Sequence, residues 1–431
     1  MTQVPVADPF TAVNGERHAA YAALAATGAV HRLILPAGTP AWLVTGHDEV
    51  RCVLTDRRLI KGTPLHRALA EKLPSDIRPA VHQHLLYQNP PDHIRLRRLI
   101  SAAFTRRRVE ALAPRIEQIA AGLLDRLDGL AEVDLITTFA YPLPMTVICE
   151  LLGIPEHIRA DFRAWTTAMI AGSFVGEVAY VAAATAMVTY IRALLDEKRR
   201  APADDLLSVL VAVRDAPEGS LAGPSINTEE SLAGPSINTE ESLAGPSMNT
   251  DRLTDDELTS MVFLLVAAGH ETTVNLIGNG MHALLTHPEQ LALVRAEPER
   301  LPAAVEELLR FAGPLQVTLP YETTEPVDLG GVTIPAGETV LPGLLAANRD
   351  PARMADPDAL DIGRRENPHV AFGHGIHHCI GAPLARLEGR IALGALLARF
   401  PRLRLAVAAH ELTWQPNLLL HSLTALPVIL H

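Results

Sequence analysis

The sequence predicts a mainly α-helical protein with a small β region. Long stretches carry apolar residues at helical spacing, and strand-like segments are few and broken by Gly and Pro. Hydrophobic residues make up 48% of the chain, enough for a sizeable core. Aromatics contribute only 4%, so Leu, Ala and Val must fill most of that core. A length of 431 residues accommodates one large domain or two of ordinary size.

In chain order, the pattern predicts a short helix over 16–27, then strand and turn character over 30–45 around Pro36-Ala37-Gly38. A helix over 91–104 follows, with Pro91 suited to its first turn and Asp92 to its N-terminal dipole. Helical patterns continue over 109–129, 139–152, 155–172, 177–199, 203–213, 251–285, 287–297 and 299–312. A strand-turn segment at 326–340 is punctuated by Gly330-Gly331 and Pro335-Ala336-Gly337, and a last long helix spans 380–399.

One segment departs from this pattern. Residues 220–230 recur at 231–241 and again at 242–252, with Met248 for Ile and Asp251 for Glu. An 11-residue period suits a right-handed coiled coil, but each copy contains Gly-Pro, which breaks a continuous helix. Three short copies do not make a solenoid. The segment reads as an extended, mobile surface loop without chemistry.

The net charge of −12 argues against general nucleic-acid binding. Arg95, Arg97, Arg98, Arg106, Arg107 and Arg108 form a local basic cluster, for which a solvated helix face is the default. Cys52, Cys149 and Cys379 are far apart, with no paired spacing, which suits a reducing compartment without disulfides. The N-terminus shows no basic region followed by an apolar run, and the longest apolar runs, such as 261–269, are short for a bilayer. A soluble cytoplasmic protein is expected, with no membrane partner.

Chemistry concentrates first at Phe372-Gly373-His374-Gly375-Ile376-His377-His378-Cys379-Ile380-Gly381. A lone cysteine there leaves a glycine-broken loop and enters a helix. Unpaired N–H groups and the helix dipole favour a thiolate at such a position. That thiolate could be a nucleophile, a zinc ligand or an axial ligand of haem iron. With His369, His374, His377 and His378 close by in sequence, zinc is the main rival reading.

Three further constellations stand out. Ala268-Gly269-His270-Glu271-Thr272-Thr273 lies inside an apolar helix, where a charged residue is costly unless partnered. Thr272 can bond the carbonyl of Ala268, four residues back, and bend the helix; the alternative is a solvent-facing polar patch. Glu307 and Arg310 share a helix face and can pair, a pattern that is more often surface decoration. His93 and Arg97, four apart after Asn89-Pro90-Pro91-Asp92, share a face and suit an anion, with an exposed helix face as the alternative.

Together these motifs closely resemble those of the cytochrome P-450 superfamily, in family order from Pro90 to Glu388. The resemblance covers the chain apart from the repeat, and implies one domain over 1–431 with that family's fold, a helical triangular prism with small β-sheets. It implies haem b (iron protoporphyrin IX) with Cys379 as axial ligand and Glu271 and Thr272 as the pair relaying protons to dioxygen. His93, Arg97 and His377 would contact the propionates, and Phe372, Gly373, Ala268 and Gly381 would also line the cofactor. Glu307, Arg310 and Arg364 would form a buried structural trio.

Relatives usually carry a propionate-binding arginine where Tyr321 stands here, and a phenol cannot form a guanidinium pair. By family position, Leu85, Phe174, Val266, Ala267, Leu315, Val317 and Leu420 would line the substrate pocket. The implied activity is monooxygenation of a bulky apolar molecule. The chain is most similar to actinobacterial members that tailor macrolides or other polyketides, with steroid or polycyclic hydroxylation as the alternative and a non-catalytic haem protein as a distant one. No Gly-rich dinucleotide loop is visible, so electrons would come from a ferredoxin and its reductase, serving a monomer.

Overall fold

Helices dominate the structure, a computed structural model that describes residues 9–12, 17–35, 38–101, 104–171, 177–215 and 252–431. The repeat lies outside the described residues up to position 251, as does Phe174. In the first half of the chain the helices are α1 (Arg17–Ala25), α2 (His47–Val53), α3 (Pro64–Glu71), α4 (Arg78–His82), α5 (Asp92–Ser101), α6 (Arg106–Ala111), α7 (Ala113–Asp125), α8 (Pro142–Leu151), α9 (Arg159–Ala171), α10 (Glu177–Arg200) and α11 (Leu206–Asp215). The second half contributes α12 (Asp255–Gly269), α13 (Glu271–Thr286), α14 (Pro288–Ala296), α15 (Leu301–Ala312), α16 (Leu344–Ala347) and α17 (Ala382–Arg399).

Strands are short: β1 (Val30–Ile34), β2 (Pro40–Val44), β3 (Leu59–Ile60), β4 (Glu132–Asp134), β5 (Tyr321–Thr323), β6 (Val327–Leu329), β7 (Val332–Ile334), β8 (Thr339–Pro342), β9 (Arg404–Leu405) and β10 (Pro427–Ile429). The main sheet has the order β1-β2-β8-β5-β3. Only β2 and β8 are parallel within it, and Leu59 and Ile60 of β3 pair with Thr323 and Glu322 of β5. That pairing joins segments about 260 positions apart and places Lys61 beside Tyr321.

Local chemistry explains most element boundaries. Thr254 and Glu257 form a reciprocal capping box at the start of α12, with Oγ1 accepting from Glu257 N–H at 3.1 Å and the Glu257 carboxylate accepting from Thr254 N–H at 2.8 Å. The helix expected over 109–129 divides at Leu112, because Pro114 lacks an N–H and starts α7 as a new helix. The short helices α2, α3 and α4 were not foreseen; at five to eight residues they carry too little periodicity to read.

Two large apolar clusters meet along α12 and α13. One packs α12 with α4, α5, α8, α10 and α11, and the other packs α13 with α7, α15 and α17. A Cβ at Gly389 would stand 3.0 Å from Leu276 Cδ2, so its absence lets α17 lie close against α13. Two helical stretches, Glu177–Arg200 and Asp255–Thr286, exceed the short apolar runs read from the sequence and have the length and hydropathy to cross a bilayer. The most apolar part of Asp255–Thr286 is 72% buried inside the protein, so its hydrophobicity serves the core.

Glu388 on α17 is 1% exposed, and its Oε2 has no hydrogen-bond partner among the described residues. Burial raises its carboxyl from 4.5 to about 8. The unfolded chain therefore ionises this group first, and stability falls as pH rises from about 4.5 to about 8. Glu388→Gln should be more stable than the wild type at pH 8 by roughly 1–3 kcal/mol, with the difference vanishing near pH 4. Denaturant midpoints across that range check this; a pH-independent difference would contradict it.

Candidate active site

The cysteine loop is shaped by two glycines. Gly373 and Gly375 have φ of +73° and +69°, and a Cβ at Gly375 would meet the Leu54 carbonyl oxygen at 2.6 Å. Gly373 N–H bonds Val370 O at 2.8 Å, and Cys379 N–H bonds Phe372 O at 2.9 Å, which closes the loop. Gly381 then caps α17, its carbonyl accepting from Ala385 N–H at 2.9 Å. A Cβ at Gly381 would lie 3.9 Å from Cys379 Sγ.

Cys379 is exposed, yet protein atoms crowd its sulfur closely enough to desolvate it. Desolvation there raises its thiol, against the opposing pull of the Gly381 and Ala382 N–H groups and the Arg97 and Arg386 guanidinium groups. A cation bound to the sulfur would favour the thiolate expected from the sequence.

Beside this loop lies a cluster of hydrogen-bonding groups. His93, on α5, is 1% exposed, and neither of its ring nitrogens has a hydrogen-bond partner among the described residues. Its ring lies 4.3 Å from that of His377, which lies 6.3 Å from the Tyr321 ring. The Tyr321 hydroxyl is also buried, without a hydrogen-bond partner among the described residues. Arg97 donates from Nη1 to the carbonyl oxygens of His378, at 2.5 Å, and Ile376, at 3.4 Å. Desolvation lowers His93 to about 4 and His377 to about 2, so both imidazoles are neutral at pH 7. Orphaned donors beside a guanidinium fit a group bearing carboxylates, as the two propionates of haem would be.

The arginine cluster read from the sequence divides. Arg95 is largely buried and pairs with Glu257, while Arg97 turns toward the cysteine loop, so neither lies on a solvated face. Arg98, on α5, and Arg106, Arg107 and Arg108, on α6, are exposed.

The polar segment of the central helix interrupts it. His270 adopts φ −115° between α12 and α13. Thr272 Oγ1 donates to Ala268 O at 3.0 Å, the back-bond expected from the spacing. His270 itself is fully buried, with Nδ1 2.8 Å from Val266 O and Nε2 3.6 Å from the Glu271 carboxylate. Residues 258–266 are all buried, whereas Ala267, Ala268, Gly269, Glu271 and Thr272 are accessible to varying degrees. Accessible residues therefore cluster at the break, directly after the buried stretch 258–266.

Glu307 and Arg310 are 1% and 0% exposed and pair bidentately, at 2.7 Å for both contacts. Arg310 also donates to the carbonyls of Asn348, Pro357 and Ala359. Arg364 Nε reaches Glu307 at 3.3 Å, and Asp361 N–H reaches it at 2.9 Å. The trio clamps the segment leading into the cysteine loop and is not surface decoration.

The zinc alternative does not survive this geometry. His369 Nε2 meets the Glu306 carboxylate at 3.1 Å, His374 lies against Arg51, and His377 faces His93. Among the described residues, no group of three or more His, Cys, Asp or Glu side chains is placed to hold a metal.

The pocket candidates scatter more widely. Leu315 and Leu420 are brought together by an isolated antiparallel bridge, and Ala267 is partly accessible. Leu85, Val266 and Val317 are 5%, 0% and 1% exposed, and so are packed into the core. Sequence reasoning missed Lys61, which follows a two-residue strand and carries no motif. It also missed the stack of His66, His84 and Tyr87 against Phe263.

Comparison with known proteins adds a consistent set of relatives. The Cytochrome P450 family model matches residues 11–406. The cytochrome P450 monooxygenase PikC of Streptomyces venezuelae is 46% identical over 418 residues, spanning 95% of this chain and 89% of its own. The 6-deoxyerythronolide B hydroxylase of Saccharopolyspora erythraea is 41% identical over 398 residues, spanning 91% of this chain and 90% of its own. The solved structure of the tirandamycin C-bound P450 monooxygenase TamI matches with a TM-score of 0.82 at 42% identity, covering 96% of this chain and 97% of that one.

Proposed function

The chain belongs to the cytochrome P450 family of haem-thiolate monooxygenases, and from that premise we propose that it hydroxylates or epoxidises a bulky, largely apolar macrolide or polyketide. The observation that carries this reading is the pairing of the Cys379 loop with the interrupted helix at Ala268–Thr272. The helix that begins just after the cysteine packs directly against the helix that begins at the interruption. Relatives that act on 6-deoxyerythronolide B or bind tirandamycin C support the substrate class. The reading takes 1–431 as one domain, monomeric and cytoplasmic, with single electrons from a ferredoxin and its reductase.

Haem b, when bound, supplies dioxygen activation at a thiolate-ligated iron. The chain's own residues prepare for that chemistry. Gly373 and Gly375 turn the loop so that Cys379 presents its sulfur, and Arg97, His93 and His377 offer charge and hydrogen-bonding capacity to the propionates. The Thr272 hydroxyl, anchored on Ala268 O, keeps lone pairs free to accept a proton or a water. The Glu271 carboxylate, 20% exposed beside the break, can carry a proton between solvent and that hydroxyl.

A Soret titration of the holoenzyme against macrolactones, glycosylated macrolides, steroids and flavonoids tests the assignment. A low-to-high-spin shift confined to macrolactones or macrolides is expected. A shift with steroids alone would transfer the assignment to the steroid alternative, and a protein that takes no haem would overturn it. Thr272→Ala should keep the spin shift while lowering product formed per electron consumed by about 10–100-fold. The assay is turnover with ferredoxin and reductase; unchanged coupling would remove Thr272 from the proton path.

A further inference from the structure

We propose that Lys61 is a haem-propionate ligand in this protein, supplying from just after β3 the cation that Tyr321 does not supply from β5. The inference rests on the haem-binding reading above and deepens it.

The Lys61 side chain is 4% exposed, and its ammonium has few partners. Nζ donates to Leu319 O at 2.7 Å and sits 3.4 Å from the centroid of the Tyr321 ring. One carbonyl and one ring face leave N–H capacity over, and no carboxylate pairs with it among the described residues. A buried ammonium without an anion is costly, and desolvation alone lowers its pKa well below 10.5. The groups around it lack an acceptor in the same way: both His93 nitrogens and the Tyr321 hydroxyl are without partners among the described residues. Lys61 lies close enough to depress both His93 and His377 electrostatically.

The position of Lys61 is built in, not incidental. The Asn89 side chain clamps its backbone from both sides, accepting from Lys61 N–H at 2.8 Å and donating to Lys61 O at 3.1 Å. The Asn89 carbonyl in turn accepts the His93 N–H at 3.0 Å, in the first turn of the helix that carries His93 and Arg97. One asparagine thus ties Lys61 to the helix bearing the other propionate candidates. The β3–β5 pairing sets Lys61 beside Tyr321 on the other side. An anion entering between these elements would meet Lys61, Arg97, two histidines and a phenol.

Haem transfer to excess apomyoglobin tests the assignment in wild-type, Lys61→Met and Lys61→Met/Tyr321→Arg holoenzymes. Lys61→Met should lose haem roughly tenfold faster or more, the cost of one charge-assisted hydrogen bond, and its reduction potential should fall. Tyr321→Arg should restore both in the double variant. Reconstitution with haem dimethyl ester, which lacks the carboxylates, should bring wild type and Lys61→Met together. Equal haem-loss rates with native haem, or a difference of the same size with the ester, would overturn the proposal. Should Lys61→Met not fold, a structure of the wild-type holoenzyme decides: Nζ within hydrogen-bond distance of a propionate oxygen upholds it, and a longer separation overturns it. A protein that takes up no haem fails the family reading, whereas haem-loaded variants with equal loss rates fail this inference alone.

Discussion

Glu307→Ala is expected to destabilise the holoenzyme by about 3–5 kcal/mol and to leave little haem-loaded protein. The size of the effect follows from what stays behind. Arg310 is fully buried, and Glu307 is its only acidic partner among the described residues. Without the carboxylate, the guanidinium keeps only the carbonyls of Asn348, Pro357 and Ala359. Arg364, Asp361 N–H and Asn367 lose their shared acceptor in the same step. All three precede the cysteine loop in the chain, so the damage should reach the cofactor as well as the fold. Denaturant midpoints and haem content per chain measure both. A midpoint within about 1 kcal/mol of the wild type would show that the trio is dispensable.

Cys379→Ala is expected to do the reverse: to leave the fold within about 1 kcal/mol of the wild type and to lower hydroxylation on the order of 10³-fold or more. The loop is closed by the backbone bond from Cys379 N–H to Phe372 O and by the positive-φ glycines, none of which needs the sulfur. Only the electronic contribution of the thiolate is lost. Circular dichroism, the Soret spectrum and product formation with redox partners separate the two effects. Retention of full hydroxylation would remove Cys379 from its assigned role, whereas unfolding would show the sulfur to be structural.

The contrast between these variants matches what was legible in the chain. The cysteine loop, the Glu307–Arg310 spacing and the Thr272 back-bond could be read directly because each depends on neighbours within a few positions. Helix geometry brings i, i+3 and i, i+4 together whatever the rest of the protein does. The glycines of 373 and 375 belong to the same class, since a turn needs its φ values locally. Helix order and the small β region followed from periodicity and punctuation, and the resemblance of these motifs to one family predicted the fold that the solved relatives share.

Other features had no local signature. Whether Arg95 and Arg97 faced solvent or core depended on Glu257 and on the His378 carbonyl, more than 160 and 280 positions away respectively. The histidines near Cys379 looked like a ligand set until Glu306, Arg51 and His93 drew them apart. Lys61 lay in an unremarkable sequence, and only the β3–β5 pairing and the Asn89 clamp set its ammonium among groups without partners. Residue type and near neighbours dictate which side chains can do chemistry and how each motif folds over a turn or two. The tertiary structure alone decided which charges are buried, paired or left waiting for an anion, because desolvation depends on every element that packs around a group and not on the residues beside it in the chain.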